Sequence, residues 1–353
     1  MLPCSKVYGV ITYLRNLFFE WKILPQHKFN VPVVVVGNIA VGGTGKTPHT
    51  EYIVEHLRHS FRIAVLSRGY KRKTKGFVLA VPDIKPSDIG DESYQIYHKF
   101  GQKVIVAVCE DRVAGIRELL RRFPDIGLVV LDDAFQHRYV HPTVSVVLTE
   151  YNRPLYEDEM LPYGRLREYP RGILRADIVV ATKCPDNMSD LDYSLFKKSL
   201  DLFAWQEVFF SHYTYQHLVP MFPDHTGSVP SFGWMDQHDS VLAVAGVENP
   251  RPFIRYIKSF MARVRVNIFS DHHVFTRKDM ENLLHRYQTM PGNTRIMVTT
   301  EKDAVRMIAS PYFPEELKAV SYYLPIKVQF SLRGGRNFID TLVKMIRKPN
   351  NNS

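Results

Sequence analysis

Apolar residues along this chain follow two different rhythms. Val7, Val10, Ile11, Leu14, Leu17, Phe18 and Trp21 recur at intervals of three and four, the spacing of one helical face. Lys6, Arg15, Asn16, Glu20 and Lys22 break any longer apolar run, so the segment cannot cross a bilayer, which needs about twenty apolar residues. No small-residue cleavage pattern follows it, so a secretory signal is not indicated. From Val31 the pattern changes to short unbroken runs. Four consecutive valines, Val33 to Val36, lead into glycine and predict a strand buried on both faces, the central parallel strand of an α/β sheet. Phe61–Ser67, Val104–Val108, Ile126–Leu131, Val144–Thr149 and Ala176–Thr182 repeat the pattern at helix-length intervals, which predicts crossover units and a mostly parallel sheet. Arg112 to Phe123 reads as a helix with its arginines on the polar side. Between about 185 and 238 the rhythm weakens into aromatic, proline- and histidine-containing sequence that reads as a linker. A second alternation of strands and helices starts at Val241 and runs past Glu301.

The first strand opens into Gly37-Asn38-Ile39-Ala40-Val41-Gly42-Gly43-Thr44-Gly45-Lys46-Thr47, followed by Pro48 at a helix start. Glycines without a Cβ let backbone N–H groups approach phosphate oxygens. Lys46 supplies a charge for the β- and γ-phosphates, and the Thr47 hydroxyl suits Mg²⁺. The usual motif wants glycine where this chain has Ala40. The expected organisation is an amphipathic helix over 1–24, a phosphate-loop domain over 25–184, an irregular region over 185–238 and a second, smaller α/β domain over 239–347. The polar tail from Lys348 to Ser353 is expected to fray.

Charge changes this picture in one place. Residues 1–77 hold twelve Lys and Arg against three Asp and Glu, within a whole-chain net charge of +10, so the basic surplus lies at the N-terminus. It faces an acidic partner: phosphates, an anionic membrane or nucleic acid. An amphipathic helix with large aromatics and flanking cations suits a membrane interface, and a helix packed on its own core is the alternative. Cys4, Cys109 and Cys184 have neither disulfide-framework nor zinc-site spacing, which fits a reducing compartment.

Acids complete the candidate chemistry. Asp132 and Asp133 end a strand, where ligands gather in open α/β sheets, so one of them can hold the metal between β- and γ-phosphates. Asp91 and Glu92 begin a helical segment, where a carboxylate either complements the positive helix end or takes a hydroxyl proton. Ser270-Asp271-His272-His273 follows a strand. Adjacent histidines point apart, so one catalytic or substrate-contacting histidine is expected rather than a metal pair. Arg165, Arg167, Arg171 and Arg175 can clamp phosphates or form a solvated basic face. Thr299 to Asp303 read equally as packing, hinge or substrate contact.

GNIAVGGTGKTP, SRGY, GDES, DDAFQH, LPYGRLRE, FSDHHVF and TTEKDAVR occur in order over roughly residues 30–307, and together they resemble the tetraacyldisaccharide 4′-kinases of lipid A biosynthesis. That family also lacks the first loop glycine, so Ala40 fits it. The resemblance implies ATP and Mg²⁺, with γ-phosphate transfer to the 4′-hydroxyl of an acylated glucosamine disaccharide 1-phosphate. The implied place is the cytoplasmic face of the bacterial inner membrane, peripheral or monotopic. It implies nucleotide contacts from Ala40, Val41, Gly42, Gly43, Thr44, Gly45, Lys46, Thr47 and Glu92, and metal contacts from Thr47, Asp132 and Asp133. Asp91 is then the general base, oriented by His272. Arg68, Tyr70, Gln136, His137, Arg167 and Glu168 contact substrate or transition state. GDES in place of GDEP and DDAFQH in place of DDGFQH depart from the family at backbone-tuning positions. A phosphate-loop switch ATPase acting on a protein or nucleic acid is the rival reading, but no aromatic-interleaved nucleic-acid module is present, so no nucleic-acid partner is expected.

Overall fold

The computed structural model describes residues 2–227, 229–236, 238–331 and 337–348; the tail beyond Lys348 lies outside them. In chain order come α1 (Leu2–Glu20), β1 (Val33–Asn38), α2 (Lys46–Leu57), β2 (Ile63–Ser67), β3 (Val78–Leu79), α3 (Pro86–Ile89) and α4 (Asp91–Phe100). Then follow β4 (Ile105–Val108), α5 (Arg112–Arg122), β5 (Leu128–Asp132), β6 (Val144–Glu150), β7 (Ile178–Thr182), α6 (Asp190–Ser199), β8 (Glu207–Tyr215), β9 (Val219–Pro220) and β10 (Ser240–Ala245). The rest is α7 (Arg251–Phe260), β11 (Arg263–Ile268), α8 (Arg277–Gln288), β12 (Arg295–Thr300), α9 (Glu301–Ile308), α10 (Glu315–Lys318), β13 (Ser321–Leu324), β14 (Ile326–Phe330) and α11 (Phe338–Ile346).

Two compact units result. The first takes Met1–Ile84, Asp88–Tyr213 and Val328–Ser353, and the second takes Lys85–Ser87 and Thr214–Lys327. The first is built on a sheet in the order β14-β8-β7-β6-β1-β5-β2-β4-β3. Strands β1, β2 and β4 to β8 run parallel, with β3 antiparallel at one edge. The valine run is its middle strand, buried at every position. Residues such as Val33 and Val35 feed one core layer, while Val34 and Val36 feed the other, with Phe338, Leu342 and Ile346 of α11. The second unit has its own sheet, β11-β10-β12-β13-β9, and two further apolar clusters. The interval 185–238, expected to be irregular, carries α6, β8 and β9, and the C-terminal helix α11 belongs to the first unit. The aromatic residues that blurred the pattern pack inside: Phe196 and Phe210 are buried together, and Tyr193 lies edge-on to Phe210.

Helix α1 packs with the stripe opposite its apolar one. Ser5 Oγ donates to the Met160 carbonyl, Tyr8 Oη to that of Arg167, and Phe19 is buried edge-on to Tyr139. Gly9 meets Tyr169 so closely that a Cβ would stand 2.5 Å from its hydroxyl. Val7, Val10, Ile11, Leu14, Phe18 and Trp21 are exposed, from 39% at Phe18 to 62% at Trp21, and Leu17 is half-buried. The alternative of a helix whose apolar face packs on its own core is therefore not what folds. Among the described residues, no helix is long and apolar enough to cross a membrane.

Candidate functional site: the phosphate loop and its acids

Parallel pairing of β1 with β5 sets Val36 beside Asp132, so the glycine loop and the acid pair leave the sheet as neighbours. The loop is held from below. Asn38 Nδ2 donates to Thr44 Oγ1 at 2.8 Å, and Thr182 Oγ1 at the end of β7 donates to the Thr44 carbonyl at 3.0 Å. Gly45 has φ +91, and a Cβ there would fall 1.7 Å from the Tyr213 hydroxyl, so both its turn and its contact require glycine. Ala40 sits in none of these roles; it is buried and bridges to Leu166. Lys46, at the start of α2, places Nζ 3.4 Å from Asn38 Oδ1 and 3.7 Å from Asp133 Oδ1.

The two acids differ in environment. Asp132 is buried and accepts from Thr50 Oγ1 at 2.9 Å, one helical turn beyond Thr47. Burial, helped by the neighbouring charges of Glu92 and Asp133, pushes its pKa up to about 7. Burial also opposes ionisation of Asp133, but Lys46, Arg167 and Arg112 outweigh it and hold that carboxyl below its usual value. Asp133 adopts φ +49, and Arg167 grips it with two donors at 2.9 and 3.3 Å. Ala134, which follows, is outside the left-handed region, so the alanine of DDAFQH needs no glycine. Asp132 is a carboxyl that would gain from a cation. Among the described residues, no group of three or more His, Cys, Asp or Glu could hold a metal alone. That fits Mg²⁺, which takes one or two carboxylates and draws its other ligands from water and phosphates.

Arg167 arrives through main-chain pairing. The Val41 amide donates to the Arg165 carbonyl, and the Arg167 amide to that of Ile39, so LPYGRLRE lies along the loop's entry. Of the four candidate arginines, only Arg167 reaches the acids. Arg165 pairs with Asp158, Arg171 is exposed, and Arg175 pairs with Glu168 while lying over the Phe135 ring. Glu168 is buried and accepts from Asn16, Gln136 and Arg175, so it holds Gln136 in place. Gln136 also donates to the Asn38 carbonyl and receives Arg15 on its own carbonyl. Buried Arg112 corrects the reading of its helix: it leaves the polar side and donates to the Asp133 carbonyl at 3.4 Å. Burial and the charge of Arg112 push His137 down to about 4, so this ring is neutral near pH 7. Arg15 and Arg68 act on it in the same direction.

The SRGY and GDES segments meet at Gly90. It has φ +83, and a Cβ would stand 2.7 Å from the Tyr70 carbonyl oxygen. Ser93 bonds Ser67 Oγ at 2.6 Å, so the serine in place of proline ties the two motifs together. Asp91 and Glu92 then open α4, with Tyr70 exposed beside them and Arg68 preceding Gly69. In the second unit His272 has φ +57, its amide donates to Asp271 Oδ1, and Nε2 lies 3.2 Å from Lys302 Nζ. His273 turns elsewhere and pairs with Asp279 at 3.0 Å. Asn38, Thr50 and Arg112 escaped the sequence reading. An asparagine closing a buried strand was the one available signal, whereas the burial of Arg112 is set by tertiary packing.

A central parallel sheet, a glycine loop ending in Lys-Thr and a neighbouring acid pair define a phosphate-loop nucleotide-binding protein of the phosphotransferase kind. The chain belongs to the tetraacyldisaccharide-1-P 4′-kinase family, whose sequence profile matches residues 1–346. It is 41% identical over 360 residues to a tetraacyldisaccharide 4′-kinase of Bacteroides thetaiotaomicron, covering 100% of this chain and 94% of that one. It is 42% identical over 355 residues to the enzyme of that name from Phocaeicola vulgatus, covering 100% and 96%. Its fold is similar to the crystal structure described as "apo" form LpxK from Aquifex aeolicus in complex with ATP, with a TM-score of 0.72 and 27% identity over 98% of this chain and 96% of that one.

Proposed function

We propose that this chain transfers the γ-phosphate of ATP to the 4′-hydroxyl of a tetraacylated glucosamine disaccharide 1-phosphate, forming lipid IVA. The observation that carries this is the meeting of Lys46, Asp132, Asp133 and Arg167 at the ends of β1 and β5, in a chain of this family. Phosphoryl transfer asks chiefly for positioning and charge neutralisation. The loop amides and Lys46 take the phosphates, and Lys46 exchanges its contact with Asp133 for them. Thr47 and Asp132, with Asp133 beside them, would hold Mg²⁺, which neutralises charge on the β- and γ-phosphates when bound. Asp91 accepts the proton of the sugar hydroxyl, and His272 is a second catalytic residue. Glu92 stays near the nucleotide. Arg68, Tyr70, Gln136, His137 and Arg167 contact substrate, and neutral His137 can donate or accept there.

An acylated substrate stays in its bilayer, at about 0.8 kcal/mol per buried CH₂, so the enzyme works at the membrane surface. The exposed stripe of α1 lies in the interface of the inner membrane's cytoplasmic face, with Lys6 and Lys22 near anionic headgroups. ADP release from ATP and Mg²⁺, measured with and without the lipid disaccharide, tests the reading. Release only with the lipid is expected; equal release without it would favour the switch ATPase.

A further inference from the structure

The peptide joining Gly45 to Lys46 is planar and trans, so its C=O and its N–H point in opposite directions. Whatever holds the Gly45 carbonyl therefore aims the Lys46 amide, which has no carbonyl within its own helix to pair with. His49, one turn into α2, holds it. Its amide donates to that carbonyl at 3.2 Å, as in any first helical turn, and its ring adds Nδ1 at 2.7 Å. A carbonyl only accepts, so Nδ1 carries the ring proton and Nε2 the lone pair. Nε2 lies 2.9 Å from Ser211 Oγ on β8, whose single proton goes to the ring rather than to the Ala181 carbonyl at 3.3 Å. Burial keeps the ring neutral, with a pKa of about 4, as that assignment requires. Tyr213 and Phe330 meet the ring edge-on, which limits its rotation. The preceding peptide is held in the same way: Thr182 Oγ1 takes the Thr44 carbonyl and so aims the Gly45 amide.

We propose that His49 is a positioning residue for ATP: its ring, backed by Ser211, turns the Lys46 amide toward the triphosphate. This rests on the reading of the phosphate loop as the nucleotide site. Two consecutive amides then face the phosphates because two side chains beneath the loop, Thr182 and His49, hold the carbonyls behind them. An apolar residue at position 49 would leave the Gly45 carbonyl with its helical bond alone.

The test is calorimetric ATP binding to the full-length wild type, His49→Asn and His49→Gln. The side-chain amide of asparagine reaches the place of Nδ1, and that of glutamine the place of Nε2. His49→Asn thus keeps the bond to Gly45, while His49→Gln keeps only the one to Ser211. Both lose the ring's packing, so a merely structural role would weaken the two alike. His49→Asn should bind ATP with close to the wild-type Kd, and His49→Gln about 10-fold more weakly, the worth of one hydrogen bond. Proton–nitrogen NMR of the wild type with ¹⁵N-labelled histidine rings should show His49 as Nδ1–H, its signals found among the 14 histidines by comparison with His49→Asn. An Nε2–H ring overturns the proposal whether or not the variants fold. Equal weakening in the two variants, or none in His49→Gln, overturns it as well. A wild type with an Nδ1–H ring that binds no ATP would overturn the nucleotide reading of the loop, and this proposal with it.

Discussion

Asp133 binds two cations with one carboxylate from a left-handed backbone, a conformation that costs about 1–3 kcal/mol for a non-glycine residue and persists where its surroundings enforce it. The ion pairs that enforce it would hold Lys46 ready for phosphate. Lys46→Ala should therefore abolish transfer, by several orders of magnitude, with the fold intact; near-normal turnover would sink the kinase reading. For the base, Asp91→Ala should lower kcat by roughly 10²–10⁴-fold with ATP binding unchanged. His272→Ala should fall in the same range, and the double variant should be little worse than either single one if the two act as a unit. His49 gives a pH test. Burial, opposed by its bond to the Gly45 carbonyl, holds this histidine down at about 4. Its neutral form is favoured by folding, so its stabilisation is complete above about 6.5 and is lost as the pH falls through 4. The stability of the wild type relative to His49→Gln should drop on the order of 3 kcal/mol over that window, read by urea titration at several pH values. A pH-independent difference would mean that His49 titrates normally.

Among elements, α1 is the one whose two faces have separate tasks. Asn16 and Arg15 steady Glu168 and Gln136 from one side, while the other shows apolar residues to solvent. Deleting the helix would disturb both. Replacing Val10, Ile11, Leu14 and Phe18 by serine isolates the second task. Binding to anionic vesicles in co-sedimentation should fall at least about 100-fold, since each buried apolar side chain contributes roughly 1.5–3 kcal/mol, with ATP affinity retained. Unchanged vesicle binding would refute the interfacial reading. The helix itself, and strands β1, β2 and β4 to β7 of the first sheet, were legible because strict three-and-four spacing and unbroken apolar runs admit few other structures. The stretch 185–238 was not, since its aromatics bury at irregular intervals. Arg112 was misread for the same reason: an arginine in a helix looks solvated until a neighbouring acid pair is known.

At the scale of the whole molecule, the first unit is discontinuous in sequence. Its sheet is legible up to Thr182, where long apolar runs recur along the chain, although no α-helix separates β5, β6 and β7. Its last pieces, β14 and α11, return after more than a hundred residues of the second unit, and no local pattern could assign them to the earlier sheet. The entry and exit of the second unit lie side by side, with the Gln216 amide donating to the Pro325 carbonyl at 2.9 Å and Thr214 Oγ1 to that of Lys327. The motifs of the site fared better, because glycine loops and strand-end acids announce themselves locally. The hydrogen bonds that organise them, such as Thr50 to Asp132 and Ser67 to Ser93, join distant residues.

That arrangement sets an order of events on the ribosome. Thr214–Lys327 is one continuous stretch and can fold as soon as it emerges, but the nucleotide-binding unit lacks Phe338, Leu342 and Ile346 of its core until that whole stretch has been made. Burial of those three side chains contributes roughly 5–9 kcal/mol, comparable to the whole stability of a domain. A nascent chain stalled before residue 338 should thus carry a protease-resistant later portion and an earlier portion that is still cleavable and does not retain ATP. The enzyme gains its phosphate-binding ability last, only after the second unit and the helix that follows it have been translated.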